Sequence, residues 1–445
     1  MKELIKKIYL LSIAVVLVPL FIIAIASLFG KDKEISEKER RELAQKPKFS
    51  FSSLFDGSYE TAFENYYSDQ FPLRDFLISA NGKRENFFAG LKSGDDGIVV
   101  IKGPSGNAEA KNNDSETDNS TSSETEPDVG KDTVSEPEDK TGDAKENGWD
   151  ANGEVDAYGY TILSGKSAME VYDNNYKKLE EYATVLNKLS SKLPDKKVYN
   201  VLIPSAVEFY APAEYNQSKQ KSQKQGISYV YEKLNGVTGV DVYSNIAAHT
   251  DKYVYFRTDH HWTARGAYYG YLGFAGAAGF EPVKLGSPSG TVEGFVGTLD
   301  ANVNGALKKY PDSVEYFMPE VETEAYVYKN LSMTGGSKIS VVAESYSGTN
   351  KYMIFIAGDN ALTKITTSAG TGRSLLILKD SFANALVPWL CNNYSEIYVV
   401  DPRDLSGGDL YGFISDNNIG EVAVINYIMS TRNDKYMNGL KKAIG

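Results

Sequence analysis

His260 and His261 are two of only three histidines among 445 residues, and both stand beside a carboxylate in Arg257-Thr258-Asp259-His260-His261-Trp262. An Asp two residues before a His on a tight loop can accept a hydrogen bond from the imidazole. That bond fixes the tautomer and stabilises the imidazolium formed when the ring takes a proton. Such a pair lacks only a nucleophile. Ser381, in Leu378-Lys379-Asp380-Ser381-Phe382-Ala383-Asn384, is the candidate, because a serine beside a base can attack a carbonyl. The apolar run before it reads as a buried strand and the run after it as a helix. A strand-to-helix turn would lift the hydroxyl at a sheet edge, near a positive helix end whose backbone N–H could bind an oxyanion.

Assignments follow from the spacing. His261 has the two-residue offset from Asp259 and is expected to be the base. His260 would face the other side of an extended loop, to bond structurally or to touch substrate. A second oxyanion donor should be a neutral amide or a cation. Asn384 lies about one helical turn after Ser381, and Asn426 lies at another strand end. Asn426 is preferred, since Asn384 could pack or cap locally. Arg403 could hold a sugar or pair with Asp401. Tyr210 follows a strand and is a further substrate-side candidate. Plainer readings stand beside these: Ser381 as a helix N-cap, or Asp259 and His260 as metal ligands with a remote carboxylate.

These residues need a scaffold. From Ala157 onward, apolar strand-like runs alternate with helical periodicity. Helices are expected over about Asp173–Leu193, Ser222–Leu234, Thr263–Ala278 and Ala383–Cys391. Strands are expected over Val198–Ile203, Val240–Tyr243, Tyr253–Phe256, Tyr352–Ile356, Ser374–Leu378, Glu396–Val400 and Glu421–Ile425. Continuous apolar strands between helices predict an α/β fold with a mostly parallel sheet flanked by helices. In such sheets ligands bind beyond the carboxyl ends of the strands. The reactive residue types fall repeatedly on that edge. Thr291 to Gly348 is less regular and reads as an elaboration with a lid or substrate-facing loops.

Composition narrows the setting. Residues 104–150 hold 14 acidic and 4 basic residues, a net of −10 within the formal −12 of the whole chain. This acidic stretch has few apolar residues, so it is expected to be a disordered insertion. The remainder is near neutral, and no basic stripe points to nucleic acid. One cysteine, Cys391, rules out an intrachain disulfide and is expected to be a small buried hydrophobe. Ile8 to Phe29 is apolar; about 22 residues at 1.5 Å rise span roughly 33 Å, enough for a bilayer core. Residues 1–7 then form a short tail and 8–29 a membrane anchor, with Ala24-Ile25-Ala26 as a cleavage site should the segment be a signal. Residues 30–103 are expected to form a charged stalk and two short aromatic-bearing helices packed on the main domain, with a strand at Gly97–Ile101. Residues 151–445 form the catalytic domain. The Lys and Arg count after the segment does not favour either orientation. The short tail resembles the start of an export signal, and the catalytic domain is expected outside the membrane.

Thr258-Asp259-His260-His261-Trp262 and Lys379-Asp380-Ser381-Phe382-Ala383-Asn384 together resemble the bacterial DHHW-motif family. Glu37 to Pro47, Asp69-Gln70-Phe71-Pro72-Leu73-Arg74 and Tyr310-Pro311-Asp312 look like further shared positions. That family is similar to the alginate and cell-wall polysaccharide O-acetyltransferases with an SGNH-hydrolase-like domain. The resemblance implies a permuted motif order: Asp259 orients, His261 is the base and Ser381 the nucleophile. The serine sits in Lys-Asp-Ser rather than a Gly-Thr-Ser-like context. The resemblance also implies a polysaccharide substrate, an integral-membrane acyl-transfer partner and no metal or organic cofactor. The expected function is therefore an extracytoplasmic, membrane-anchored O-acetyltransferase or acetylesterase. The rival is an inactive glycan-binding or envelope-assembly protein on the same scaffold; the 31 tyrosines suit sugar stacking and ordinary cores alike.

Overall fold

A computed structural model describes residues 161–212 and 222–445 continuously, together with 155–158, Trp149 and scattered positions between Asp32 and Phe71. The apolar segment 8–29, the strand expected at Gly97–Ile101 and the acidic stretch 104–148 lie outside the described residues. Among the described residues no helix is long and apolar enough to cross a membrane. The chain divides into two compact units, Met1–Val100 and Ile101–Gly445. In the first, Ile35–Ser36 pairs antiparallel with Arg41–Glu42. Tyr59, Phe63, Tyr66 and Tyr67 are helical, and most of the two helices expected there lies outside the described residues.

The second unit is built on eight strands: β1 (Lys197–Ile203), β2 (Thr238–Gly239), β3 (Thr323–Tyr328), β4 (Ser337–Ile339), β5 (Leu362–Thr367), β6 (Ser374–Lys379), β7 (Glu396–Val400) and β8 (Glu421–Tyr427). Their order across the sheet is β4-β3-β5-β7-β6-β8-β1-β2. From β7 to β2 every pairing is parallel. From β7 through β5 and β3 to β4 every pairing is antiparallel. The sheet is thus mixed: a parallel half as expected, and an antiparallel wing that was not. The wing carries alternating, half-exposed sequences such as Thr-Glu-Ala-Tyr-Val-Tyr. Such patterns signal one covered face and lack the continuous apolar run of a strand buried on both sides.

The parallel strands show why their sequences are apolar throughout. Leu375 and Ile377 enter one core, and Leu376 and Leu378 enter the other. One face is covered by α1 (Tyr176–Ser191) and α2 (Gln223–Glu232); the other by α3 (Val242–Ala247) and α4 (Ala264–Ala278). Helices α5 (Leu410–Asp416) and α6 (Asp434–Ile444) join the α1 side. In α1 the buried residues Leu179, Tyr182, Ala183, Leu186 and Leu189 recur at three- and four-residue intervals, the apolar stripe of a helix lying on a sheet.

Three expected strands take other forms. The second half of Val240–Tyr243 is helix, because Asp241 caps α3 by accepting from Ser244 N–H at 2.9 Å. Tyr352–Ile356 is largely a 3₁₀ turn, Lys351–Ile354. Tyr253–Phe256 makes only a bridge from Tyr255 to Trp262, since the chain folds back on itself there. The helix expected over Ala383–Cys391 is a 3₁₀ turn, Ser381–Ala385, followed by Val387–Leu390. Pro388 has no N–H to donate to the preceding turn, so one continuous α-helix is broken. The irregular region is a hairpin, Gly290–Phe295 with Asp312–Tyr316, plus the two outer strands of the wing.

Candidate active site

Asp380 directly follows β6 and caps the turn that comes next, its Oδ1 accepting from Phe382 N–H at 3.0 Å. The cap role open to Ser381 is therefore filled by its neighbour, and the Ser381 hydroxyl is left for other work. It lies 2.8 Å from His261 Nε2. His261 Nδ1 lies 2.5 Å from Asp259 Oδ1, and the His261 backbone N–H donates to the same oxygen at 3.1 Å. Because an ionised carboxylate only accepts, Nδ1 carries the ring proton and Nε2 is free to take one from Ser381. Asp259 Oδ2 accepts from Thr298 N–H at 2.8 Å and Thr298 Oγ1 at 3.0 Å. The three side chains singled out in the sequence are thus in one hydrogen-bonded series.

Electrostatics suit that arrangement. Burial alone would raise the Asp259 carboxyl. The charges of His261 and His260 and the hydrogen bonds from His261 and Thr298 reverse this, holding it well below the usual carboxylate range. Burial, then the charge of His261, pushes His260 down against the pull of Asp259. His260 Nδ1 meets Thr298 Oγ1 at 2.8 Å, and its ring lies 3.9 Å from that of His261. Asp259, His260 and His261 present ligand-type atoms within 4.8 Å of one another. Both nitrogens of His261 are already directed at Asp259 and Ser381, so a cation bound through His261 would break the series.

The histidine loop is held from four sides. Asp312 is fully buried and accepts from Thr258 N–H at 2.8 Å, Thr258 Oγ1 at 2.7 Å, Arg257 N–H at 3.1 Å and Arg257 Nε at 3.0 Å. Trp262 Nε1 donates to the Phe382 carbonyl at 2.7 Å, tying the histidine loop to the serine turn. Tyr352 stacks on His261 at 4.0 Å, and its hydroxyl donates to the Ser381 carbonyl at 3.0 Å. Gly297 closes the fourth side: a Cβ there would sit 2.1 Å from Asp259 Cβ. Gly297→Ala should displace Asp259 and lower ester turnover about 100-fold, the order expected for a misplacement near 1 Å, with the circular dichroism spectrum retained.

The other candidates divide. Asn426 does not serve as an oxyanion donor: its Oδ1 accepts from Tyr182 at 2.6 Å and Tyr436 at 3.2 Å, and its Nδ2 donates to the Tyr427 carbonyl at 2.9 Å. Strand alternation turns it into the core shared with Val422 and Val424. Asn384 sits buried in the serine turn and donates one Nδ2 hydrogen to Asp359 at 3.0 Å; with Asn426 turned into the core, it is the remaining amide candidate. Arg403 takes the structural reading. It forks onto Asp401 through Nε at 2.9 Å and Nη2 at 2.5 Å, and reaches Asp359 at 2.7 Å. Lys379, 1% exposed, joins the same cluster through Asp359 and Asp401. Tyr210 stacks on Trp149 at 4.6 Å and donates to the Thr250 carbonyl at 3.0 Å. Cys391 is buried, as a small hydrophobe would be.

Asp380 itself titrates unusually. Burial pushes its carboxyl up to about 6, against hydrogen bonds from Ser430, Phe382 N–H and Tyr427 N–H. A carboxyl raised above its unfolded value of 3.8 stabilises the fold below that value, and the contribution is lost as pH rises through about 6. The loss is roughly 3 kcal/mol. His260, shifted downward, works in the opposite sense. The stability difference between wild type and Asp380→Asn, from urea unfolding at pH 5 and 7.5, isolates the carboxyl and should shift against wild type as pH rises.

A large mixed sheet between helices, with a serine turn after one of its strands, defines a mixed α/β fold. The DHHW protein family model matches residues 39–400, and the chain belongs to that family. A DHHW family protein from Eubacterium siraeum is similar in structure, at 30% identity and a TM-score of 0.59, over 64% of this chain and 96% of that one. Bacillus cereus PatB1, solved with a sulfonyl adduct, matches at 21% identity and a TM-score of 0.50, over 62% of this chain and 97% of that one. The O-acetyltransferase domain of Pseudomonas putida AlgJ aligns at 14% identity and a TM-score of 0.33, over 64% and 96%. No curated protein matches the sequence.

Proposed function

We propose that this protein is a serine O-acyltransferase that moves acetyl groups onto hydroxyls of a cell-envelope or secreted polysaccharide, working outside the membrane and anchored by residues 8–29. The observation that carries this reading is the series Asp259–His261–Ser381, with Nε2 2.8 Å from the serine hydroxyl. Ser381 Oγ attacks the acetyl carbonyl while His261 Nε2 takes its proton. Asp259 stabilises the imidazolium. The backbone N–H of Ser381 opens the 3₁₀ turn and has no carbonyl of that turn to bond, so it is available to the oxyanion with the second N–H of Asn384. His261 returns the proton to the leaving group. It then draws one from a sugar hydroxyl, whose oxygen attacks the acetyl-serine and frees Ser381. Water in place of the sugar gives hydrolysis. The acyl supply outside the membrane is assigned to an integral-membrane acyl-transfer partner, on the strength of the family resemblance.

The test is mass spectrometry of the purified chain incubated with 4-nitrophenyl acetate. An adduct of about 42 Da, the mass of an acetyl group, is expected on Ser381. A sulfonyl fluoride should compete for the same residue, as the sulfonyl adduct of PatB1 suggests. A folded protein that takes up neither reagent would turn the assignment to glycan binding on the same scaffold.

A further inference from the structure

Glu170 is a carboxylate that the mechanism above leaves unused. It ends the short strand Ser167–Glu170, paired to Thr161–Ser164. Ala168 N–H donates to the Arg257 carbonyl at 2.8 Å, fastening this strand to the start of the histidine loop. Glu170 Oε2 is sealed from solvent and has no hydrogen-bond partner; among the described residues it is the one buried carboxylate oxygen in that condition. Leaving a buried polar oxygen unpaired is costly, and burial pushes the Glu170 carboxyl upward against the pull of His260. The cost is understandable where a ligand supplies the missing donor.

What surrounds Glu170 indicates the ligand. His260, Asp259 and Tyr427 are the groups whose charges act on or respond to it. His260 uses Nδ1 on Thr298, which leaves Nε2 for a ligand, and its side chain is 21% exposed. Its ring lies 3.9 Å from His261 and 5.9 Å from Tyr427. Tyr427 stacks on Phe382 at 4.4 Å, one residue after the serine. An imidazole and an aromatic wall therefore adjoin the serine turn, and Glu170, on the strand fastened to the start of the histidine loop, lies within electrostatic reach of both. This grouping suits a ring that is apolar on one face and carries adjacent hydroxyls at its edge.

We infer that Glu170, with His260 beside it, forms the acceptor subsite and takes a hydrogen bond from the hydroxyl next to the one being acetylated. This rests on the proposed transfer reaction. In that step the acceptor oxygen bonds to the acetyl carbon, its proton passes to His261 Nε2, and the bond to Ser381 Oγ breaks as that proton moves to Oγ. Glu170 neither gains nor loses a proton. It holds the acceptor in place of water, so it governs the partition between transfer and hydrolysis.

The test uses the full chain, 4-nitrophenyl acetate as donor, and methyl β-D-glucopyranoside or ethanol as acceptor. The glucoside has neighbouring hydroxyls; ethanol has none. Wild type should favour the glucoside. Glu170→Ala should lower that preference by about tenfold, as expected for a lost hydrogen bond to a buried group; Glu170→Gln, which keeps a side-chain oxygen, should lower it less. The nitrophenol burst reporting Ser381 acetylation should be unchanged. A burst and a preference both unchanged in the variants would overturn the subsite, as would a wild type that treats both acceptors alike. Loss of the burst in folded variants would place Glu170 in acylation and also overturn it. Absence of a burst in wild type would instead overturn the transfer reaction itself.

Discussion

Ser381→Ala and His261→Ala should each abolish the acetyl adduct and reduce acetyl-ester turnover by at least about 1,000-fold. The two losses should be nearly equal, and the double variant should be little worse than either single one. Groups that act as a unit are strongly non-additive: without the base the hydroxyl is not activated, and without the hydroxyl the base has nothing to activate. Neither change should unfold the protein. Ser381→Ala removes one hydroxyl, and the cap of its turn belongs to Asp380. His261→Ala leaves the Trp262 bond to Phe382 and the Asp312 bonds to Thr258 in place. Turnover with 4-nitrophenyl acetate, read beside circular dichroism, gives the result. Ser381→Ala retaining wild-type turnover would refute the mechanism.

The members of the hydrogen-bonded series were readable because their sequence signals are local. Asp259 and His261 are two residues apart, and Ser381 follows a run whose apolar continuity marks a buried parallel strand. What supports them was hidden because it comes from afar. Asp312 gathers Thr258 and Arg257 across more than 50 residues, and only its place in Tyr310-Pro311-Asp312 marked it. Thr298 and Gly297 sit in a loop with no periodicity, and nothing local shows that they meet Asp259. Tyr352 lay inside an expected strand, where an aromatic residue reads as core. Asn426 was misjudged for a related reason. Its position at a strand end was right, but alternation decides which face it serves, and that face is core. The antiparallel wing escaped because strands with one covered face carry a weaker signal than strands buried on both.

Asp259→Asn should lower kcat by about 10,000-fold while leaving the fold and donor KM nearly unchanged. The argument is one of proton direction. In wild type, Asp259 Oδ1 can only accept, so His261 must carry its proton on Nδ1 and present a bare Nε2 to Ser381. Oδ2 is equally committed, with Thr298 N–H and Oγ1 both donating to it. An Asn at this site has one oxygen for two sets of donors. Each side carries one backbone N–H, Thr298 at 2.8 Å and His261 at 3.1 Å; the shorter bond keeps the amide oxygen on the Thr298 side, and the NH₂ faces His261. His261 Nδ1 must then accept, and its proton moves to Nε2. There it points at the serine and cannot take a second proton without forming an unsupported imidazolium. The pH profile supplies an independent check. Asp259 is held below the usual carboxylate range, and its contribution to stability is present above its unfolded value and lost only as pH falls through the folded one. Wild-type and variant stabilities should therefore run parallel between pH 5 and 8, so a difference in turnover across that range reports the tautomer and not unfolding. Turnover of Asp259→Asn within about tenfold of wild type would mean that the carboxylate only positions the ring.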